Sequence, residues 1–262
     1  MNPSQEPSYV VHDRGDKPYL MLLHGVMSSR AQWMDNVEAL KEVCNPVVVE
    51  LLGHGRSPAP ADPARYTPQA YVAFFDALRA ELGATDWFVC GQSFSAGLTM
   101  RYSLTHPDRV RGQIFTNSVS AFAPADTPER QADRARAVAD LRRLGREALP
   151  DQRFFPRSQG RLPDAVYKAM LADAYQIDPE ALALSNEMTV PGLSVRDQFH
   201  LTRVPTLLVN GAWEKAFQPV AEFAGQQLPG MQRGDLDGGH TINAENPAGF
   251  NRAVIAFIRS LR

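Results

Sequence analysis

A hydroxyl, an imidazole and a carboxylate stand in this sequence in settings that suit covalent attack on an electrophilic carbon. Ser93 lies in Gly91-Gln92-Ser93-Phe94-Ser95, between the apolar run 87–90 and a stretch where Gly97, Met100 and Leu104 recur at helical spacing. A strand that turns into a helix within a few residues needs small neighbours around the central one. Such a turn lifts the Ser93 hydroxyl out of the sheet edge, and the helix start offers free backbone N–H groups beside it. A free hydroxyl is a poor nucleophile at neutral pH, and histidine is the side chain whose pKa suits taking its proton. His240 follows Gly238-Gly239, which let its loop approach closely. The imidazole in turn needs an acid to hold its tautomer and stabilise the imidazolium. Glu214, in Gly211-Ala212-Trp213-Glu214 after a strand, is the candidate. Asp235 and Asp237 are too close to His240 in sequence to face it easily, and the loop after residue 116 carries no carboxylate before Asp126. Gly-x-Ser alone is a weak signal; the order Ser, acid, His adds the weight.

The elements that would position these groups alternate. Residues 19–23 form an apolar run ended by His24-Gly25-Val26-Met27, and Trp33, Val37 and Leu40 follow at helical spacing. Residues 46–52 read as a strand closed by Gly53-His54-Gly55-Arg56-Ser57. Thr67 and Pro68 read as an N-cap with proline at the first helical position, Tyr71, Phe74, Phe75, Leu78 and Leu82 as the buried face, and Gly83 as the stop. A further strand is expected over 110–116. Strand-helix alternation of this kind predicts an α/β fold, a mostly parallel central sheet with helices on both faces. Over 121–202 the alternation stops, and Pro124, Pro150, Pro156, Pro163, Pro179 and Pro191 break the segment into three or four short helices. Strands at 205–209 and 231–236, a helix over 220–228 and a last helix capped by Asn246-Pro247 complete the pattern. Residues 1–120 and 203–262 therefore read as one core, with 121–202 as a helical insertion.

The chain has 262 residues, 44% of them hydrophobic, and a formal charge of −2, which gives no global field for nucleic acid or an anionic membrane. No apolar run approaches the ~18 residues of a membrane span, and residues 1–7 lack the basic and apolar regions of a signal peptide, so a cytoplasmic location is expected. Cys44 and Cys90 are too few for a disulfide framework. His24 and His54 read as structural turn residues, since no acid or cysteine stands at ligand spacing beside them, and no metal is indicated. Residues 130–161 carry nine arginines against four acids, a local excess of five positive charges. That excess fits a solvated helix face, or alternatively a surface steering anions such as a carboxylate, a coenzyme A ester or an acyl carrier protein.

Taken together, His24-Gly25, the Gly53-His54-Gly55-Arg56-Ser57 turn, the Ser93 elbow, Gly211-x-x-Glu214, and Gly239-His240 leading to Glu245-x-Pro247-x-x-Phe250 resemble the α/β-hydrolase fold superfamily over the whole chain. Departures are Ser95 for the second elbow glycine, Glu214 where aspartate is commoner, and Glu50 and Leu52 where aspartate and proline usually precede the Gly-His-Gly turn. The resemblance implies a cap-bearing serine hydrolase of the carboxylesterase or thioesterase kind. Its oxyanion hole would be the backbone N–H groups of Val26 and Phe94, whose side chains would line the substrate pocket, and its cap would be the helical insertion. The expected activity is cleavage of a small-molecule ester or thioester, of small or medium acyl size, through an acyl-enzyme on Ser93, with no cofactor. Alternatives are hydrolysis of carbon–carbon bonds in diketone-like substrates with the same triad, and a hydrolase-like receptor for a small ligand.

Overall fold

Leu20 and Leu22 pack on one side of their strand and Met21 and Leu23 on the other, and all four are fully buried. A strand covered on both faces belongs inside a three-layer α/β arrangement. In the computed structural model, which describes residues 5–261, seven strands form one sheet. They are β1 (Tyr9–Val11), β2 (Tyr19–Leu23), β3 (Asn45–Val49), β4 (Trp87–Gly91), β5 (Val110–Phe115), β6 (Thr206–Gly211) and β7 (Gln232–Leu236). Their spatial order is β1-β3-β2-β4-β5-β6-β7, with β1 antiparallel to β3 and every other pair parallel.

Helices α1 (Met34–Leu40), α2 (Pro68–Glu81) and α3 (Phe94–Thr105) come from the first half of the chain. Between β5 and β6 lie α4 (Pro128–Leu144), α5 (Asp164–Ala174) and α6 (Pro179–Leu184); after β6 come α7 (Gln218–Gln227), α8 (Ile242–Glu245) and α9 (Pro247–Ser260). One face of the sheet packs Tyr71, Phe75 and Leu78 of α2 with Leu98 and Tyr102 of α3. The opposite face packs Trp33, Leu40 of α1 and Phe250, Val254, Phe257 and Ile258 of α9. Thr67 and Asn246 cap α2 and α9 through their side chains, as the sequence leads one to expect. Cys90 is fully buried in the second face, and burial pushes its thiol pKa up, as suits a small core residue.

Two readings need correction, and one strand has no reading. The strand expected over 46–52 ends at Val49, because the Glu50 carboxylate accepts the amides of Arg30 and Arg56 and draws the chain into a turn. The edge strand β1 escapes a periodicity reading, being three residues long and only half-buried. Finally, α4 runs for 17 residues and is not short: Thr127 caps it, Pro128 sits in its first turn, and no proline interrupts it before its end at Gly145. The first four residues, part of the N-terminal stretch read above, lie outside the described residues. Among the described residues, no helix is long and apolar enough to cross a membrane.

The two ends of the helical segment between β5 and β6 are joined at its base. Val195 N donates to Ala121 O at 2.8 Å, Ser194 Oγ to Ala123 O at 2.7 Å, and Arg196 to Phe122 O at 3.1 Å. Above this junction Val138, Leu141, Leu149, Phe155, Ile177 and Leu182 gather around Met27, a core residue with φ +61° in the loop after β2.

His24 and His54 sit side by side beneath that loop, ring centroids 5.5 Å apart and both fully enclosed. His24 Nε2 accepts the Leu51 amide, so Nδ1 carries the proton and donates to Gly25 O. Burial pushes His24 down to about 4 despite that bond, and burial with the neighbouring His24 pushes His54 down to about 3. Both folded values lie below the ordinary ~6.5, so between them the unfolded chain binds more protons. Their contribution is full above about pH 6.5 and is lost as pH falls through 4 for His24 and toward 3 for His54, on the order of 3 kcal/mol for His24 and about 5 kcal/mol for His54. Urea midpoints should therefore fall steeply from pH 6.5 to 4.5, before most carboxylates protonate; a flat profile there would contradict the buried neutral pair.

Candidate active site

The turn between β4 and α3 holds Ser93 at φ +54° and ψ −118°, a conformation that costs a non-glycine residue on the order of 1–2 kcal/mol. Gly91 allows it: a Cβ there would lie 2.6 Å from Ser95 O and 2.7 Å from Ala96 Cα. Ser95, where a glycine is commoner, is buried and donates its hydroxyl to His24 O, tying the elbow to the end of β2. Ser118 Oγ donates to Ser93 O at 2.6 Å and braces the turn from the loop after β5.

Ser93 Oγ lies 2.8 Å from His240 Nε2, and His240 Nδ1 lies 2.9 Å from Glu214 Oε1. The hydroxyl can donate to Nε2 when Nδ1–H donates to the carboxylate, which is the tautomer a general base requires. Ser93 is only 5% exposed. Burial pushes the Glu214 carboxyl up, but the His240 bond and charge, with weaker help from Asn117 and Arg153, outweigh it and hold the group below its ordinary range. Among the described residues no hydrogen bond reaches the buried Glu214 Oε2, while the nearby Asn117 amide donates to Gly211 O.

Both loops that carry these side chains are tethered. Gly239 N and Thr241 N, which flank His240, donate to the two oxygens of Glu245, and Gln92 Nε2 donates to His240 O at 3.0 Å. Asn117 grips Gly211 from both sides, accepting from its N–H at 2.7 Å and donating to its carbonyl at 3.0 Å. Gly211 must be glycine, since a Cβ would lie 1.9 Å from Gly239 O. Gln32 accepts the Gly25 amide and donates to Asn243, linking the loop after β2 to the histidine loop through buried amides.

The arrangement can activate Ser93 as a nucleophile, and the chain as a whole resembles known proteins. A family model described as alpha/beta hydrolase fold matches residues 18–247. The chain belongs to the α/β-hydrolase fold family. Among curated relatives of this α/β-hydrolase, a putative 2-succinyl-6-hydroxy-2,4-cyclohexadiene-1-carboxylate synthase of Bacillus subtilis is 24% identical, over 97% of this chain and 95% of the relative. Carboxylesterase YbfK of the same organism is 23% identical, over 93% of this chain and 81% of its own length. Of solved structures, the enol-lactonase from Burkholderia xenovorans superposes with a TM-score of 0.82 at 23% identity, covering 97% of this chain and 96% of that one; this likeness concerns the fold.

Of the residues expected from sequence, Ser93, Glu214 and His240 come together, Phe94 opens α3 beside them, and Val26 lies half-buried one residue past Gly25. Asp235 does not approach His240: it pairs with Asn210 and Arg233. The tethers Asn117 and Gln92 have no signal in residue type alone, because an amide that clamps a backbone looks like any loop amide until the loops meet; Glu245 stands within a mark of the family resemblance, but its hold on the histidine loop is not legible there.

Among the described residues, four of the nine arginines of residues 130–161 are ion-paired in this α/β-hydrolase, all of them on α4. Arg134 pairs with Asp126, Arg136 with Asp133, Arg143 with Asp140, and Arg142 with both Glu180 and Glu187. Arg153 and Arg161 differ. Arg153 lies 4.9 Å over the Phe154 ring, and Phe154 in turn stacks on the His240 imidazole at 5.1 Å and 12°. Arg161 lies 3.7 Å over Trp213, the neighbour of Glu214. A cavity of about 370 Å³ opens here, lined by Phe154, Arg161, Met170, Trp213, Gly239 and Thr241 among others. A larger cavity of about 770 Å³, at the far end of α3 near Arg101, Pro107 and His200, includes none of the Ser93 cluster.

Proposed function

We propose that this protein is a serine hydrolase that cleaves a carboxylic ester or thioester of small or medium acyl size through an acyl-enzyme on Ser93. The observation that carries this reading is the unbroken line from Ser93 Oγ through His240 to Glu214, at 2.8 and 2.9 Å. In the first half-reaction Ser93 Oγ attacks the carbonyl carbon while His240 Nε2 takes its proton, and Glu214 stabilises the imidazolium. The tetrahedral oxyanion falls to the backbone N–H groups of Val26 and Phe94. Phe94 supports that role as the first residue of α3, where amides have no intrahelical acceptor, and neither amide donates to a protein acceptor among the described residues. His240 returns the proton to the leaving atom as the carbon–oxygen or carbon–sulfur bond breaks. Water, activated by the same imidazole, then releases the acid and restores Ser93.

The side chains of Val26 and Phe94 shape the acyl side of the pocket in this reading. A chain-length series of 4-nitrophenyl esters, from acetate to decanoate, tests it: turnover should peak at short or medium acyl length. Acyl-coenzyme A esters in the same series test the thioester reading, and acyl carrier protein thioesters test a protein-borne substrate. Loss of a diketone chromophore with no ester or thioester turnover would move the assignment to carbon–carbon hydrolysis. A large ligand-induced rise in Tm with no turnover would move it to a receptor.

A further inference from the structure

Resting on that reading, we infer that Arg153 and Arg161 form a binding site for an oxyanion, a carboxylate or a phosphate, carried by the leaving group of the substrate. The charge accounting comes first. On α4, Arg134, Arg136, Arg142 and Arg143 are paired with Asp126, Asp133, Glu180, Glu187 and Asp140, while beyond it Arg146 and Arg157 donate to the carbonyls of Tyr175 and Gln152. Arg153 and Arg161 have no carboxylate partner among the described residues. Each is instead stacked on an aromatic face, Phe154 for one and Trp213 for the other. A guanidinium held by its face keeps its in-plane N–H donors at the edges, where they form the fork that fits a carboxylate or phosphate.

The location then selects the leaving-group side. Phe154 covers the His240 ring, Trp213 adjoins Glu214, and the 370 Å³ cavity is bounded by Gly239 and Thr241 on either side of the histidine. Because His240 must hand its proton to the departing atom, the leaving group lies on the imidazole side of Ser93. The one carboxylate that lines this cavity, Glu245, is already held by the Gly239 and Thr241 amides and so leaves the arginines free of it. Phe154 keeps this position with φ +70°, a conformation rare for an aromatic residue, with its ring in contact with both the His240 imidazole and the Arg153 guanidinium although 43% exposed. The nearby charge of Arg153 also helps to keep Glu214 ionised.

The test compares pairs of esters that differ only in where charge sits. 4-Acetoxybenzoate and its methyl ester share an acetyl group and a ring but differ in leaving-group charge; 4-acetoxyphenyl phosphate adds the phosphate arm. Phenyl hemisuccinate and phenyl butyrate place the difference on the acyl side. In the double variant Arg153→Gln, Arg161→Gln the kcat/KM ratio of 4-acetoxybenzoate to its methyl ester should fall about tenfold or more, as loss of a charge-assisted fork predicts. Lysines at both positions should restore part of it, and Arg136→Gln, an ion-paired arginine on α4, should leave the ratio within about twofold of wild type. The larger of the two anionic ratios identifies carboxylate or phosphate as the preferred group. An unchanged ratio in the double variant overturns the proposal, as does a fall confined to the hemisuccinate pair. Calorimetric titration with the product 4-hydroxybenzoate separates this from the hydrolase reading. Arginine-dependent binding without turnover of any ester would leave the anion site standing and remove the hydrolase, whereas ester turnover with unaltered ratios would do the reverse.

Discussion

A fluorophosphonate should leave a single adduct on this protein, on Ser93, and Ser93→Ala should lose roughly a million-fold in kcat while still binding substrate. The expected size follows from what the hydroxyl does in the proposed reaction. It forms the covalent bond, and without it only the amides and the binding pocket act on the carbonyl, which elsewhere preserves roughly a thousand-fold or more over water. The alanine variant should fold. Ser93 is an N-cap whose side chain makes no capping bond, and alanine has the same Cβ at this φ, so the substitution adds no backbone strain. Mass spectrometry of the labelled, digested protein locates the adduct. An adduct on Ser28, Ser118 or Ser120 would sink the assignment, although each is a serine close to the same loops.

Glu214→Gln carries the second large effect, a loss of roughly ten-thousand-fold in kcat, as amide replacement of a triad acid gives elsewhere. A carboxylate at this position accepts from Nδ1–H and stabilises the imidazolium; an amide either presents its own N–H to Nδ1 or accepts with a neutral oxygen. The first choice puts the proton on Nε2, where it blocks acceptance from Ser93. Structurally the exchange is mild: Glu214 makes the His240 bond through Oε1, which the glutamine oxygen can also accept, and the carboxamide has the same shape as the carboxylate. Normal Tm with collapsed activity is therefore the expected combination. Glu214→Asp should retain part of the rate, limited by how far the Gly211 turn, gripped by Asn117, can follow the shorter arm. Asp235→Asn and Asp237→Asn should cost little, since Asp235 serves Asn210 and Arg233 and Asp237 is exposed. Near-normal rates for Glu214→Gln together with a dead Asp237→Asn would reverse the assignment.

The strands and the three chemical side chains were legible in the sequence for a common reason. Buried parallel strands need unbroken apolar runs, and a strand-to-helix turn needs small residues, so both leave marks in residue type at short range. β1 left none, because three half-buried residues at an edge satisfy no period. The length of α4 is not legible from the proline breaks, because Pro124 lies before it, Pro150 lies beyond its end, and Pro128 within its first turn starts a helix rather than ending one. Phe154 was illegible for a different reason. Its stacking on His240 depends on a positive φ within an irregular stretch, and on the meeting of residues 86 positions apart in sequence. The arginine excess shows the opposite failure: it was visible as a count, yet its meaning changed once Asp126, Glu180 and Glu187, all outside the counted window, were found on those same guanidiniums.

The junction at the base of the helical segment has a consequence for how such a chain can change over generations or at the bench. Since Ala121, Phe122 and Ala123 are bonded directly to residues 194–196, the segment leaves the sheet and returns to it at one point. The entropic cost of closing a loop grows only slowly with its length, about 0.6 kcal/mol for each doubling, and here the ends are held whatever lies between them. A change in the length of residues 124–193 would therefore fall mainly on the contacts that the segment makes elsewhere, such as Asp178 N on Gly53 O and Phe154 on the His240 ring, and not on the register of β5 and β6.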